Sequence, residues 1–555
     1  MLKRIGGVAI PLFSLKSEKD YGSGDFGALS KFILWADKIG IKIIQILPIN
    51  ELGRGEASPY SALSAFALDP LYLDVDKVIY VGFPSVQEFL NKHAGIIKAL
   101  KSSERVSPEK VKMFKLEVLR KAFELFAAKD LPRNCHSTKS FEQFQQDNAF
   151  WLNDYLIFRI LKEQYNWKPW QEWPTPYLEM ARLKSDQEKM KFLEENRDEA
   201  LFYTFVQWQL DLQLKESARL AREKGITLCG DIPLLVSLES ADVFFNQEIF
   251  HLDLYGGAPP DQYAKDGQNW GMPTYRWEVL EKQDYLWWKN RLKKAETYYS
   301  SFRVDHVVGL YRIWSIPSSP SESGGMRSGK EGFFDPSDES LWADHGRKLL
   351  NLFLRATNML PLAEDLGVVP DCVRPMLREM LIPGLKVWRW ERAWHSQGQP
   401  FLDPRGYEPI SVATASTHDS ETMLGWLTNP QMTSEVKALA EYLPAGFTYQ
   451  AHKKLGELQP LELEDVDDAS YLRMMTELFS AGSNIALVLF PDLLGLLGKY
   501  RVDPEELRIN RPDQPGHLKN WNWRMPFSVE ALALDQNELA QLNYLTSRLI
   551  KDSGR

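Results

Sequence analysis

The chain has 555 residues, of which 44% are hydrophobic and 25% charged, an ordinary globular composition. A formal charge of −9 disfavours nucleic acid and anionic membranes as partners. The length suggests about three to four domains, unless one barrel with insertions takes it up. Cys135, Cys229 and Cys372 lie far apart with no CxxC pair, which argues against a disulfide framework or a zinc cluster and suits a reducing, cytoplasmic setting. Near the N-terminus a short apolar run contains Pro11 and lacks a small-residue cleavage site. Neither a signal peptide nor a spanning helix is read there.

Taken in chain order, short apolar, β-rich runs recur, most of them before a turn and a helical stretch. They are VAIPLF (8–13), KIIQILPI (42–49), ITLCGDIP (226–233), SFRVDHV (301–307), LPLAEDLG (360–367), LKVWRW (385–390), ISVATASTHD (410–419) and NIALVLFPD (484–492). Continuous apolar runs, rather than alternation, suit parallel strands covered on both faces. Eight of them separated by helical periodicity predict an α/β fold, a (β/α)8 TIM barrel with helical and loop insertions. From about 85 to 223 the pattern is helical, which reads as an insertion at the barrel's rim. The expected organisation is one continuous catalytic barrel. Residues 1–84 carry its first two strands and loops, 85–223 the helical insertion, and 224–555 strands three to eight with the active-site loops. The Ser/Gly/Pro-rich stretch 315–332 predicts a loop of low order.

Gly22, Gly24 and Gly27 in YGSGDFG match G-x-G-x-x-G, and Glu51 ends the next strand, where a ribose-binding acid would sit. In a dinucleotide site the glycines follow the strand directly. Here SLKSEKDY intervenes, so the stretch reads as a glycine-rich strand-to-helix turn. Binding of NAD(H) would decide for the dehydrogenase alternative.

Three strand ends carry acids: Asp305 after SFRV, Glu364 closing LPLAE, and Asp419 after ATASTH. In a barrel such residues converge on the C-terminal mouth. Three carboxylates there would repel, so one is expected to hold a proton near neutral pH. A protonated acid beside an ionised carboxylate is what glycosidic cleavage needs. Singly, each acid reads more readily as a helix cap or a loop ion pair. Arg303 and His418, beside two of them, favour the joint reading.

These residues lie in motifs. RVDHVVGLYRIWSIP, AEDLGVVP and STHDSETMLGWL resemble active-site motifs of the 4-α-glucanotransferase family (amylomaltase, or disproportionating enzyme), which belongs to the α-amylase clan of retaining enzymes. PLFSLKSEKDYGSGDFG, IIQILPIN, SPYSALSAFALDPLYLD, GDIPLLVSLESADVF, GAPPDQYAKDGQNWGMPTYRW and NWNWRMP look like further family blocks, extending the resemblance from about residue 2 to 526. The resemblance implies that Asp305 is the nucleophile and Glu364 the general acid, then base, expected to titrate at about 6. Asp419, with His418, would hold sugar hydroxyls. Arg303, two residues before Asp305 and on the same strand face, can lower its pKa.

Tyr60 resembles the family tyrosine that stacks on a sugar ring, and Asp231 matches a family block, with loop capping as its other reading. Trp270 lies in the Gly/Pro/polar segment 256–277, expected to be an irregular lid. The implied substrates are α-1,4-glucans, malto-oligosaccharides and glucose. Transfer conserves bond energy, so neither a nucleotide nor a metal cofactor is expected. Two alternatives remain beside transfer: an α-1,4-glucan hydrolase, which differs only in the acceptor, and a non-catalytic glucan-binding protein, which has no need of three acids. The chain departs from the family at Val307 and Val308, where an aromatic–basic pair is common. The departure is expected to alter acceptor contacts. The loop after the fourth strand also differs from the family's usual Gly-Arg-Trp type.

Overall fold

Eight parallel strands close a barrel in the computed structural model, which describes residues 3–183, 185–261, 264–321 and 324–555. The strands in chain order are β1 (Ile5–Ala9), β2 (Ile43–Gln45), β3 (Thr227–Ile232), β4 (Phe250–Ala258), β5 (Gln268–Tyr275), β6 (Ser301–Val304), β7 (Ile313–Pro317), β8 (Phe333–Asp335), β9 (Leu360–Ala363), β10 (Gly384–Val387), β11 (Ser411–Thr414) and β12 (Ile485–Leu489). The barrel runs β1-β12-β11-β10-β9-β6-β3-β2, and β5-β4-β7-β8 make a separate antiparallel sheet. Each of the eight apolar runs supplies one barrel strand.

The first strand begins earlier than its apolar run. Pro11 has no N–H for a ladder, and Leu12–Ser14 turns into a 3-10 helix, so pairing falls on residues 5–9 instead. Glycine is required there: a Cβ on Gly7 would stand 2.1 Å from Ile43 Cγ2 of the neighbouring strand.

Strand periodicity sets the polar layer. Ile43, Cys229, Leu362, Leu385, Val412, Ile485 and Leu487 form an apolar cluster among the barrel strands. Two positions beyond Cys229 and Leu362, on the same strand faces, come Asp231 and Glu364. The register sets Asp231 beside Arg303, and Arg303 beside Leu362. The acids therefore gather at the C-terminal end, above an apolar floor.

The glycine-rich turn is structural. Asp25 caps the helix Phe26–Ile39, accepting the Ala28 N–H at 2.8 Å. A Cβ on Gly24 would lie 2.0 Å from the Leu12 carbonyl, so that glycine serves chain packing. Glu51 is buried and already engaged by Arg159 Nε at 3.0 Å and by the Tyr155 hydroxyl.

Among the described residues, eight α-helices lie between 84 and 223. The last, Arg197–Glu223, packs on Phe26–Ile39 and on β3. Among the described residues no helix is long and apolar enough to cross a membrane.

Within the segment 256–277 the described residues are largely paired strand rather than an irregular loop. β4 and β5 pair antiparallel, with Trp270 on β5 and β7 on the other side of β4. Alternating Trp270, Met272 and Thr274 supply the sheet character, and Gly267 and Gly271 absorb the positive φ angles at the turn and within the strand. Stretch 315–332 is likewise partly regular. Its start completes β7, and Gly329–Glu331 is a 3-10 helix closed by a Ser328–Glu331 capping box. Gln262, Tyr263, Glu322 and Ser323, which belong to these two segments, lie outside the described residues.

The Arg159–Glu51 pair ties the helical excursion to the exit of β2, and both side chains are buried. Arg159→Ala would strand the Glu51 charge and should cost about 3–5 kcal/mol. Thermal unfolding should register the loss, and adding Glu51→Gln should recover much of it.

Candidate active site

Arg303 projects from β6 into the barrel mouth, where its side chain is almost wholly buried. Its Nη1 lies 3.0 and 2.9 Å from the Asp231 oxygens and 2.8 Å from Asp305 Oδ1, while Nη2 lies 3.8 Å from Glu364 Oε2. One guanidinium thus faces three carboxylates. Burial works to lower the Arg303 pKa, but Asp231 and the other anions override it and raise it well above the usual value. The Tyr60 hydroxyl closes the group, donating to Asp231 Oδ2 at 2.8 Å.

Glu364 follows β9 directly. Its Oε2 accepts the His306 N–H at 2.7 Å and its Oε1 the Leu366 N–H at 3.1 Å. Burial pushes its carboxyl up, Arg303 draws it down, and the nearby Asp305 charge adds to the rise. The result is about 8. This exceeds the value of about 6 expected from sequence, and burial is its largest cause.

His306 was not foreseen. It adopts a left-handed conformation at φ 48°, which aims its N–H at Glu364. Its ring stands edge-on to Trp270, with centroids 5.1 Å apart. Burial lowers the imidazole to about 4, so the ring is neutral near pH 7.

Asp419 has separate partners. His418 Nε2 lies 3.1 Å from its Oδ2, and the Asn510 amide donates to Oδ1 at 2.6 Å. Burial pushes Asp419 upward, but the His418 charge and these hydrogen bonds bring it to about 2. For His418 the balance is reversed: burial lowers its pKa, and Asp419 more than restores it. The Tyr60 ring stacks parallel to His418 at 5.6 Å, with Trp521 against both. Asn510 and Trp521 come from the irregular stretch that follows the last strand. Its proline-rich, polar composition and length were the available signal.

These groups border a cavity of about 2160 Å³, lined by Tyr60, Trp270, Arg303, Asp305, Glu364 and Asp419. The structure places Asp231 and His418 one layer deeper. Asp231 has no exposed side-chain surface, and its oxygens are taken up by Arg303 and Tyr60, while Nε2 of His418 is shared by Tyr60 and Asp419. Val307 and Val308 are buried as well and are not among the residues that line the cavity.

A family model described as 4-alpha-glucanotransferase matches residues 10–530. The chain belongs to the 4-α-glucanotransferase family. Among its relatives, a 4-alpha-glucanotransferase of Chlamydia pneumoniae is 33% identical over 532 residues, covering 95% of this chain and 92% of that protein. Another from Thermus thermophilus is 30% identical over 518 residues, covering 91% and 92%. The amylomaltase of Streptococcus agalactiae, solved in complex with acarbose, shares the fold, with a TM-score of 0.77 and 24% identity over 99% of both chains.

For a 4-α-glucanotransferase family site built around one cation, Arg303→Met is a direct probe. It keeps the stem and removes the charge that draws Glu364 down. The alkaline limb of the pH–rate profile should then move above pH 8, with kcat/KM falling on the order of 100-fold or more. A limb that stays in place would separate Glu364 from Arg303.

Proposed function

We propose that this chain transfers α-1,4-glucan segments from a donor malto-oligosaccharide to the 4-hydroxyl of glucose or another glucan, through a covalent glycosyl-enzyme. The observation that supports it most is the inequality between two carboxyls at adjacent strand ends. Asp305 is in direct contact with Arg303, and Glu364 is held protonated at neutral pH.

On this reading Asp305 Oδ attacks the anomeric carbon while Glu364 delivers its proton to the departing glycosidic oxygen. The carboxylate left on Glu364 then takes the proton of the acceptor 4-hydroxyl as that oxygen displaces Asp305. Two displacements retain the configuration. Asp419, ionised and fixed by His418 and Asn510, would accept hydroxyl protons of the sugar at the cleaved bond. Tyr60 would offer its ring to that sugar. Asp231 and His418 act here by holding Arg303, Tyr60 and Asp419 in place. We assign α-1,4-glucans, malto-oligosaccharides and glucose as partners, with the enzyme in the cytoplasm. We further read the mostly helical stretch 85–223 as an insertion in one continuous catalytic barrel.

Incubation with maltotriose tests the reaction. A ladder of longer oligomers plus glucose marks transfer, whereas growth of reducing ends with only glucose and maltose marks hydrolysis. Asp305→Asn should remove nearly all turnover while glucan binding survives.

Activity should fall as pH rises through about 8, because Glu364 loses the proton it must donate. Glu364→Gln should abolish that alkaline limb and most activity on natural glucans. A donor such as α-maltotriosyl fluoride, whose leaving group needs no proton, should lose far less in the first step. Equal losses on both donors would remove Glu364 from the acid role.

Water competes with the sugar acceptor for one intermediate, so transfer depends on positioning and exclusion. Trp270 stands on a strand over the cavity and against His306. Trp270→Ala should reduce total cleavage moderately while raising the ratio of hydrolysis to transfer, read as new reducing ends against ladder formation. An unchanged ratio would leave Trp270 a packing residue.

A further inference from the structure

Asp492 lies in the short helix Phe490–Leu494 that follows β12, and it has no exposed surface. Its Oδ2 accepts the Ser416 hydroxyl, and its Oδ1 accepts the Met423 N–H at 2.7 Å. Its backbone carbonyl accepts the Tyr471 hydroxyl at 2.8 Å, which anchors it to the helix Asp468–Phe479. Among the described residues no lysine, arginine or histidine pairs with this carboxylate. The groups facing it are the Ser416 hydroxyl, the Met423 amide and Tyr471.

An ionisable group placed in this way is costly. Desolvating a lone carboxylate costs several kcal/mol, and burial raises the Asp492 pKa to about 6. An apolar side chain would fill the space at less cost, so the two side-chain hydrogen bonds are what distinguish the residue. They grip two points of one turn. Ser416 lies two positions beyond β11, and Met423 opens the helix Met423–Thr428. Between them stand His418 and Asp419.

We propose that Asp492 is a positioning residue for Asp419: by pinning Ser416 and Met423, it fixes both ends of the turn that presents Asp419 to the sugar. The proposal rests on the catalytic reading of Asp419 given above. Charge-assisted hydrogen bonds from both ends of an eight-residue span hold its tip more tightly than either would alone. A displacement of about 1 Å at such a group is enough to cost on the order of 100-fold in rate.

A mutant cycle tests this. Asp492→Asn should lower kcat/KM roughly 10- to 100-fold, by the same factor on maltotriose and on α-maltotriosyl fluoride. Asp419 acts in the transition state whatever the leaving group, so the two donors should suffer alike. The alkaline limb set by Glu364 should stay in place. In an Asp419→Ala background, with the residual rate measured on the fluoride, Asp492→Asn should cost almost nothing more. Ser416→Ala, which removes one of the two bonds and leaves the carboxylate, should give a smaller loss of the same pattern. It carries the same cycle if Asp492→Asn does not fold. Losses that multiply in the Asp419→Ala background would overturn the proposal, as would losses confined to maltotriose. Full activity of Asp419→Ala alone would instead overturn the reading of the site on which the proposal stands, and that single variant distinguishes the two failures.

Discussion

The guanidinium of Arg303 is the group on which the site depends. Asp231, Asp305 and Glu364 surround it in a buried mouth, where two like charges about 4 Å apart repel by about 4 kcal/mol at an effective dielectric of 20. A single cation cannot neutralise three anions, so at least one must gain a proton or leave. Burial and the fork together decide which. Nη1 touches Asp231 and Asp305 at about hydrogen-bond length, while Nη2 stays 3.8 Å from Glu364. Glu364 is the least compensated of the three and keeps its proton to about pH 8. The division between nucleophile and acid in the proposed reaction therefore follows first from the burial of Glu364 and then from its greater distance from Arg303.

The surroundings reinforce that division. Asp419, the fourth acid, is removed from the contest by its own partners, His418 and Asn510. Glu364 is oriented by two backbone N–H groups, which cannot swing away as side chains can. One of these belongs to His306, whose ring braces Trp270. One residue thus contacts both Glu364 and the cavity-lining Trp270. The strand that carries Trp270 is part of a four-stranded sheet, not the irregular lid that its glycines and prolines suggested.

Much of this was legible beforehand, for physical reasons. Parallel barrel strands are covered on both faces, so they appear as unbroken apolar runs, and all eight were visible. The acids at 305, 364 and 419 were visible because strand ends converge in a barrel. The start of β1 was obscured because Gly6 and Gly7 carry no apolar signal, although close strand approach requires a glycine at Gly7. The β4–β5 hairpin was obscured because glycine and proline in GAPPDQYAKDGQNWGMP suggest a loop, while the pairing partner β7 lies some forty residues on. The depth of Asp231 and His418 depends on which neighbours claim their polar atoms, and spacing along the chain carries no such information. His306, Asn510 and Asp492 act through a backbone amide or through loops distant in sequence, and single residue types do not reveal that.

Closure of the barrel sets a schedule for making the protein. Ile5 of β1 pairs with Ile485 of β12, 480 positions later, and β2 waits for β3 across the whole helical excursion. At a synthesis rate of about 5–20 residues per second, β1 stands without its final neighbour for roughly 25–100 s after it leaves the ribosome. During that interval one side of its backbone is an open template for other strands. Residues 1–45 cannot shield it alone, because β1 and β2 form only a two-stranded edge until the third strand arrives. Yield in the cell should therefore depend on how that edge is sheltered during synthesis as well as on the stability of the closed barrel.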